Sequence, residues 1–452
     1  MMTRRRTGLA LAAWLLLSAP PGEAQQPQRA AALTLDDAVR TALEYHPSVL
    51  AARAGESEAS AIAGQQSAQW WPQLGVQGSV FRYQKQMLVF PIHELSQDAF
   101  QFDRTLLQGS LNLGWTLFEG GARSARISSA RAQEDAAGAR RAGSELTLIA
   151  DVARAYLDVL SSHGTLLAQR QSLHALAAER ERVQRLLSEG RAAQVELLRV
   201  DAAIAQAEAE EVATATGLDT AERRLARLLG VPPEETRAPR LSPVRLADTM
   251  LMADRELLLE QFTVGNPQLA EAQSQTEAAE AARRQAVAEW WPRLDVAGAY
   301  LLFTSPSFDL QGEWNVGVRL SYPLFTGGAR SRTVSTASAR AELAREQYRL
   351  ARLRGEEAVD RTLGAVLDWR AQVVAIGTAV RHLAEVARIE QLSLQEGAGT
   401  QTDYLRAEAE LRRASAALVR ARHAEIAARV ELASLTGTLS PQWIEDMLEI
   451  TP

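Results

Sequence analysis

One tripeptide occurs twice and constrains everything else about the chain. Trp70-Trp71-Pro72 and Trp290-Trp291-Pro292 stand 220 residues apart, and His46-Pro47 and Asn266-Pro267 keep that spacing. Further on, "LFEGGARS" (117–124) is matched by "LFTGGARS" (324–331), now 207 residues apart. Gly190 with Gly397 and Gly230 with Gly437 share the second spacing. The difference, 13 residues, falls between the Trp-Trp-Pro and the Gly-Gly. Each half of the 452-residue chain therefore reads as one structural unit, with a longer loop in the first. This divides the chain into a first repeat at 25–230, a linker at 231–251, a second repeat at 252–437 and a C-terminal segment at 438–452. The linker and the C-terminal segment are assigned to a belt around the junction of the repeats.

Proline placement supplies the coarse secondary structure. None occurs between Pro91 and Pro232, nor between Pro323 and Pro441, and both windows are dense in Ala, Leu, Arg and Glu. The expected long helices are 122–187, broken at Gly190, and 329–395, broken at Gly397. At 1.5 Å per residue each is about 100 Å long, far more than a globular core needs. Leu173, Leu176, Val183 and Leu187 sit at helical spacing, as do Val380, Leu383 and Leu394, which argues for a coiled-coil seam near each break. Return helices are expected to 229 and 436. Shorter helices at about 48–70 and 268–290 begin with proline in the first turn, where its missing N–H costs nothing.

Four stretches alternate with period two: about 73–83, 107–118, 293–303 and 313–325. In the second, Leu107, Leu111, Leu113, Trp115 and Leu117 oppose Gln108, Ser110, Asn112 and Thr116. In the fourth, Trp314, Val316, Val318, Leu320 and Tyr322 oppose Glu313, Asn315, Arg319 and Ser321. A half-buried sheet in a soluble protein shows the same alternation. Two isolated hairpins amid long helices point instead to strands crossing an outer membrane, with Trp70, Trp71, Trp290 and Trp291 at its boundary. Proline ends the helix there, and alternation begins because lipid lies on one side and water on the other.

The N-terminus agrees. Arg4, Arg5 and Arg6 precede an apolar run from Leu9 to Leu17 and then the small-residue stretch "GEA", the pattern of a signal peptide cut after Ala24 (1–24). After it no run of 18 apolar residues occurs, so membrane entry is expected through strands. An unpaired strand edge cannot sit in lipid, and four strands cannot close a barrel. An eight-stranded dimer would be filled by side chains, whereas small polar inward residues suit a wider lumen, so three copies with twelve strands are expected. The fold class is thus mainly α with transmembrane β: a trimeric 12-strand β-barrel joined to a long periplasmic α-helical barrel.

At this point the chain resembles the TolC-like outer membrane efflux proteins over about 33–438. The resemblance rests on "LTLDDAVRTALEYHPSV", the duplicated helix–hairpin–helix order, the "LFxGGAR" exits, and the tip segments "SEGRAAQVELLRVDA" and "QEGAGTQTDYLRAEA". It implies a homotrimer in the outer membrane with a mixed equatorial domain. It also implies an exit duct for a tripartite efflux pump or type I secretion system. Such a duct docks through its tips, here Gly190 and Gly397, with a periplasmic adaptor (membrane fusion) protein and through it an inner-membrane pump. In that family an acidic residue six positions after the tip glycine helps ring the closed periplasmic mouth. The matching positions are Glu196 and Asp403. Where many members carry a second aspartate three residues later, this chain has Arg199 and Arg406, which complicates the sign of a gating ring.

Other function classes find little support. The net charge of −6 gives no footprint for nucleic acid, and the absence of cysteine excludes disulfides and thiolate chemistry. The six histidines show no close ligand spacing, so no metal or cofactor is expected, and Gly120-Gly121 and Gly327-Gly328 are followed by no Lys-Ser/Thr. The carboxylates alternate with Arg on helices, as on a solvated face, and no enzyme is expected. The rival reading is a periplasmic coiled-coil structural or adaptor protein without a membrane barrel.

Overall fold

The computed structural model describes residues 32–91, 100–230, 241–246 and 254–450. The signal peptide at 1–24 and all of the linker except 241–246 lie outside these residues. In chain order the first elements are α1 (Leu35–Tyr45), α2 (Pro47–Ser67) with a 3-10 turn (Ala68–Trp70), β1 (Gln73–Leu88), β2 (Phe102–Phe118), α3 (Ala122–Ser188) and α4 (Gln194–Leu228). Then come β3 (Val244–Leu246), α5 (Arg255–Gly265), α6 (Pro267–Ala288), β4 (Arg293–Ser305), β5 (Phe308–Ser321) and α7 (Ala329–Gln395). The chain closes with α8 (Gln401–Leu435), α9 (Pro441–Met447) and β6 (Leu448–Ile450). The molecule is mostly helical, with one antiparallel sheet ordered β1-β2-β4-β5 and a small β3-β6 pair.

Local chemistry explains where the helices begin and end. α2 and α6 each open on a proline, behind His46 and Asn266, whose side chains accept the N–H groups of Ser48 and Leu269. α3 and α7 are both 67 residues, about 100 Å at 1.5 Å per residue. They end at Gly190 (φ +74°) and Gly397 (φ +77°), where a left-handed residue turns the chain and lets following N–H groups satisfy the last carbonyls. α3 packs along α2, α6, α4 and α8, whereas α7 is flanked mainly by α6 and α8. This asymmetry decides burial at the expected seams: Leu176 and Val183 on α3 are buried, but Val380, Leu383 and Leu394 on α7 are only partly covered.

The main core lies where α1, α3, α4, α8 and α9 converge, around Val39, Val152, Tyr156, Leu225 and Val430. The buried Tyr156 hydroxyl donates to the carbonyls of Leu33 (2.8 Å) and Ser242 (2.7 Å), tying the β3 region to α3, and burial pushes its phenol up. A second cluster of Leu258, Phe262, Leu269 and Val359 seats α5 against α6 and α7.

The sheet joins the two halves through β2 and β4, and β1 and β5 are edges with no partner among the described residues. Opposed residues share a face, so register carries the alternation across all four strands. Gln77 lies opposite Ser110, which in turn lies opposite Leu301 and belongs to the polar side; Val76, Leu111, Tyr300 and Trp314 line up on the apolar side. The strands differ from the expected spans at several ends: β2 and β5 begin earlier, at Phe102 and Phe308. β1 continues to Leu88 past an irregularity between Arg82 and Met87. β5 stops at Ser321 rather than 325. Pro323 has no N–H to donate to a ladder, whereas the equivalent place in the first half is Thr116, inside β2.

Candidate functional site: the sheet–helix junction and the helical tips

At the junction, the two Trp-Trp-Pro segments meet the two Gly-Gly-Ala-Arg segments. The Arg123 guanidinium stacks over the Trp70 ring (4.6 Å to its centre), donates to the Thr116 carbonyl, and lies 3.5 Å from Glu119. The second half repeats the arrangement: Arg330 lies over Trp290 (5.2 Å) and Tyr322 (5.3 Å) and donates to the Pro323 carbonyl. The arginine thus ties the first turn of the long helix to the strand end and to the helix that entered the sheet. Trp115 Nε1 adds a bond to the Trp70 carbonyl at 2.9 Å. The other tryptophan of each pair points elsewhere. Trp71 is 75% exposed, and Trp291 meets Phe118 edge-on with centroids 6.4 Å apart. Gly120 (φ +62°) is required here, because a Cβ would collide with Trp291 and the Ala288 carbonyl. On the polar face beside it, Arg293 pairs with Asp295 (2.9 Å), Thr116 Oγ1 donates to Asp295 (2.7 Å), and Arg319 stands opposite Asp295.

At the far end of the helices, the two tips touch. Arg199 Nη1 donates to Thr402 Oγ1 at 2.8 Å. Arg182 donates to Gln401 Oε1 (2.8 Å) and to the buried Glu179 (2.6 Å). Glu179, and more weakly Glu196, hold that guanidinium above its ordinary value. Asp403 begins α8 as half of a capping box: its N–H bonds the Thr400 hydroxyl (3.2 Å), which donates back to its carboxylate (2.5 Å). Arg406 is 4.0 Å from the same carboxylate and mostly exposed. Glu196 has no such cap, since Ala193 stands where Thr400 does in the other half. Of the residues singled out from sequence, Arg199 therefore bridges the tips, Asp403 lies in the first turn of α8 bonded to the cap residue Thr400 with Arg406 beside it, and Glu196 sits near Arg182. Glu179, Arg182, Gln401, Thr402 and Tyr404 were not singled out. Their positions are ordinary helical ones in the sequence, and only the approach of α3 and α4 to α8 joins them. Among the described residues no cluster of His, Asp and Glu has the arrangement to hold a metal ion.

A mostly helical molecule of this length, with one amphipathic sheet at one end and paired helical turns at the other, has the build of an envelope-spanning channel subunit. The outer membrane efflux protein model matches residues 38–231 and 258–438, and the chain belongs to that family. Its place is accordingly the outer membrane, with a long helical portion in the periplasm. A nodulation protein T from Rhizobium leguminosarum bv. trifolii is 24% identical over 325 residues, covering 69% of this chain and 68% of that protein. The fold is shared with a membrane protein from Pseudomonas aeruginosa (TM-score 0.78, 21% identity, 89% of this chain and 93% of that one). It is also shared with the outer membrane protein VceC from Vibrio cholerae (TM-score 0.74, 20% identity, 89% and 96%).

Proposed function

We propose that three copies of this chain form the exit duct of a tripartite efflux pump or type I secretion system. Each copy is a duplicated unit giving four strands to a 12-strand barrel and its long helices to a periplasmic tube. The observation that carries this is the sheet: one face apolar, one polar, and both edge strands, β1 and β5, without a partner among the described residues. Edges of that kind are stable in lipid only when another chain pairs with them. The exposed Trp71 and Trp291 then lie at the membrane boundary, and Trp70 and Trp290 anchor the strand-to-helix exit beneath it. In outer-membrane fractions the protein is expected as a heat-modifiable trimer on SDS gels, and a soluble monomer would overturn the duct in favour of a periplasmic coiled-coil protein.

The tips at Gly190 and Gly397 are the proposed docking points for a periplasmic adaptor, and Asp403 with Glu196 the proposed acidic elements of the closed mouth. Arg199 and Arg406 partly offset those charges, so closure rests as much on the Arg199–Thr402 and Arg182–Gln401 bonds as on repulsion or attraction between acids. Asp403→Ala removes the proposed lumenal charge and the acceptor of the Thr400 hydroxyl, while Thr400 still caps the backbone N–H of position 403. It is expected to raise single-channel conductance in planar bilayers; an unchanged conductance would take Asp403 out of the gate.

A further inference from the structure

The polar face of the sheet changes character toward the hairpin ends. Along β1 it runs Gln73, Gly75, Gln77, Ser79 and then Phe81; along β2, from Thr116 through Asn112 and Gln108, it arrives at Leu106. Along β4 the series Arg293, Asp295, Ala297, Ala299 ends in Leu301 and Phe303. Register confirms a common face, since Phe81 lies opposite Leu106 and Phe303 opposite Gln108. A surface patterned to stay wet along most of its length has turned apolar at its outer end on three of its four strands, while β5 keeps Glu313 and Gln311 there, and the apolar part is covered. Val89 and Phe90, which follow β1, are buried against Leu106, with Phe303 and Phe308 packed around them. Val89 N–H bonds the Gln101 carbonyl at 2.9 Å, which holds the segment against the sheet. The Phe90 and Phe308 rings meet edge-on, centroids 6.4 Å apart at 75°.

In the barrel proposed above, these side chains stand between the sheet and the space its polar face encloses. Packing alone would put such a cluster on the apolar face, where lipid or a neighbouring side chain covers it without narrowing anything. We propose that Val89, Phe90, Leu106, Phe303 and Phe308 form an apolar collar at the outer mouth, which limits the size and polarity of what leaves the duct. An apolar constriction opposes hydrated solutes both by diameter and by dewetting. The inference rests on the duct reading above and assigns its outer specificity to residues far from the periplasmic tip.

The chain has no cysteine, so a single introduced one is a unique reporter. Ser110→Cys places it on the polar face below the collar, and Ser307→Cys places it in the exposed turn between β4 and β5. Intact cells carrying either full-length variant are treated with a small maleimide or a bulky polyethylene-glycol maleimide. Ser307→Cys is expected to react with both at similar speed. Ser110→Cys is expected to react with the small reagent and only slowly with the bulky one. Adding Phe90→Ala or Phe308→Ala should speed the bulky reaction several-fold while trimers still assemble. Two results overturn the collar: bulky labelling of Ser110→Cys as fast as that of Ser307→Cys with the rings intact, or no acceleration when either ring is removed. Absence of any labelling at Ser307→Cys would instead sink the duct reading itself.

Discussion

At the scale of single residues, the junction arginines explain a motif the sequence displays without its purpose. "GGAR" is visible in both halves, but the partner of Arg123 is Trp70, which reaches it only after a whole hairpin has intervened. Arg123 is 5% exposed, so Arg123→Ala would strip the Thr116 carbonyl and the Trp70 face of a buried charged partner. A loss of about 2 kcal/mol is expected, measured as a lowered trimer melting temperature, and Arg123→Lys should recover little of it because an ammonium lacks the planar fork. His423 gives a pH dependence. Burial holds its imidazole below the ordinary value, against the opposing bond to the Val419 carbonyl, and Nδ1 has no partner among the described residues. Above pH about 6.5 the ring is neutral folded or unfolded and contributes no pH dependence. As pH falls below that value, the unfolded chain takes the proton first, so stability declines until the folded value is passed and then levels off. Thermal unfolding between pH about 7.5 and about 5.5 should show this decline, and His423→Gln should reduce it.

At the scale of elements, the long helices are legible because proline is absent for over a hundred residues and a glycine marks each turn. The sequence places α7 at 329–395, where it is observed; β5, by contrast, is expected to run to 325 and stops at Ser321. The apolar positions spaced by two run on through Tyr322 to Leu324, but a ladder needs an N–H as well as a pattern, and Pro323 has none. α5 shows another limit of pattern. Its Phe262 lies so close over Gly355 of α7 that a Cβ there would fall within the ring. Nothing in the local sequence around Gly355 signals that contact, because the glycine sits in an unbroken helix. Gly355→Val is expected to unseat α5 and cost about 1–3 kcal/mol, read as a lower melting temperature.

At the scale of the whole molecule, α7 is the side of the chain left uncovered. Leu343, Leu350, Leu353, Leu367 and Val374 are exposed along it, and part of the helix is apolar enough to pass for a membrane span. Asp368 and Arg370 lie among those residues, and α8 runs alongside, which fits a flank awaiting a neighbouring copy better than a span. Leu353→Asp combined with Val374→Asp should leave the helical circular dichroism of the chain unchanged and abolish the heat-modifiable trimer. A persistent trimer would place the interface elsewhere.

The sequence by itself determined the long helices and the four strands of the main sheet, most of the helix bounds, and which face of each strand is polar, because these follow from period, proline and glycine, all of which act within a few residues. It also marked Trp-Trp-Pro as the place where helix becomes strand. Tertiary structure alone decided how that place is built: one tryptophan of each pair lies under a buried arginine, the other faces outward. It alone joined Arg182 to Gln401 and Arg199 to Thr402, and it alone turned Val89 and Phe90 onto the polar face. Each of these contacts unites residues far apart in the chain, and such pairings depend on how long helices and strands lie against one another, which no local pattern encodes.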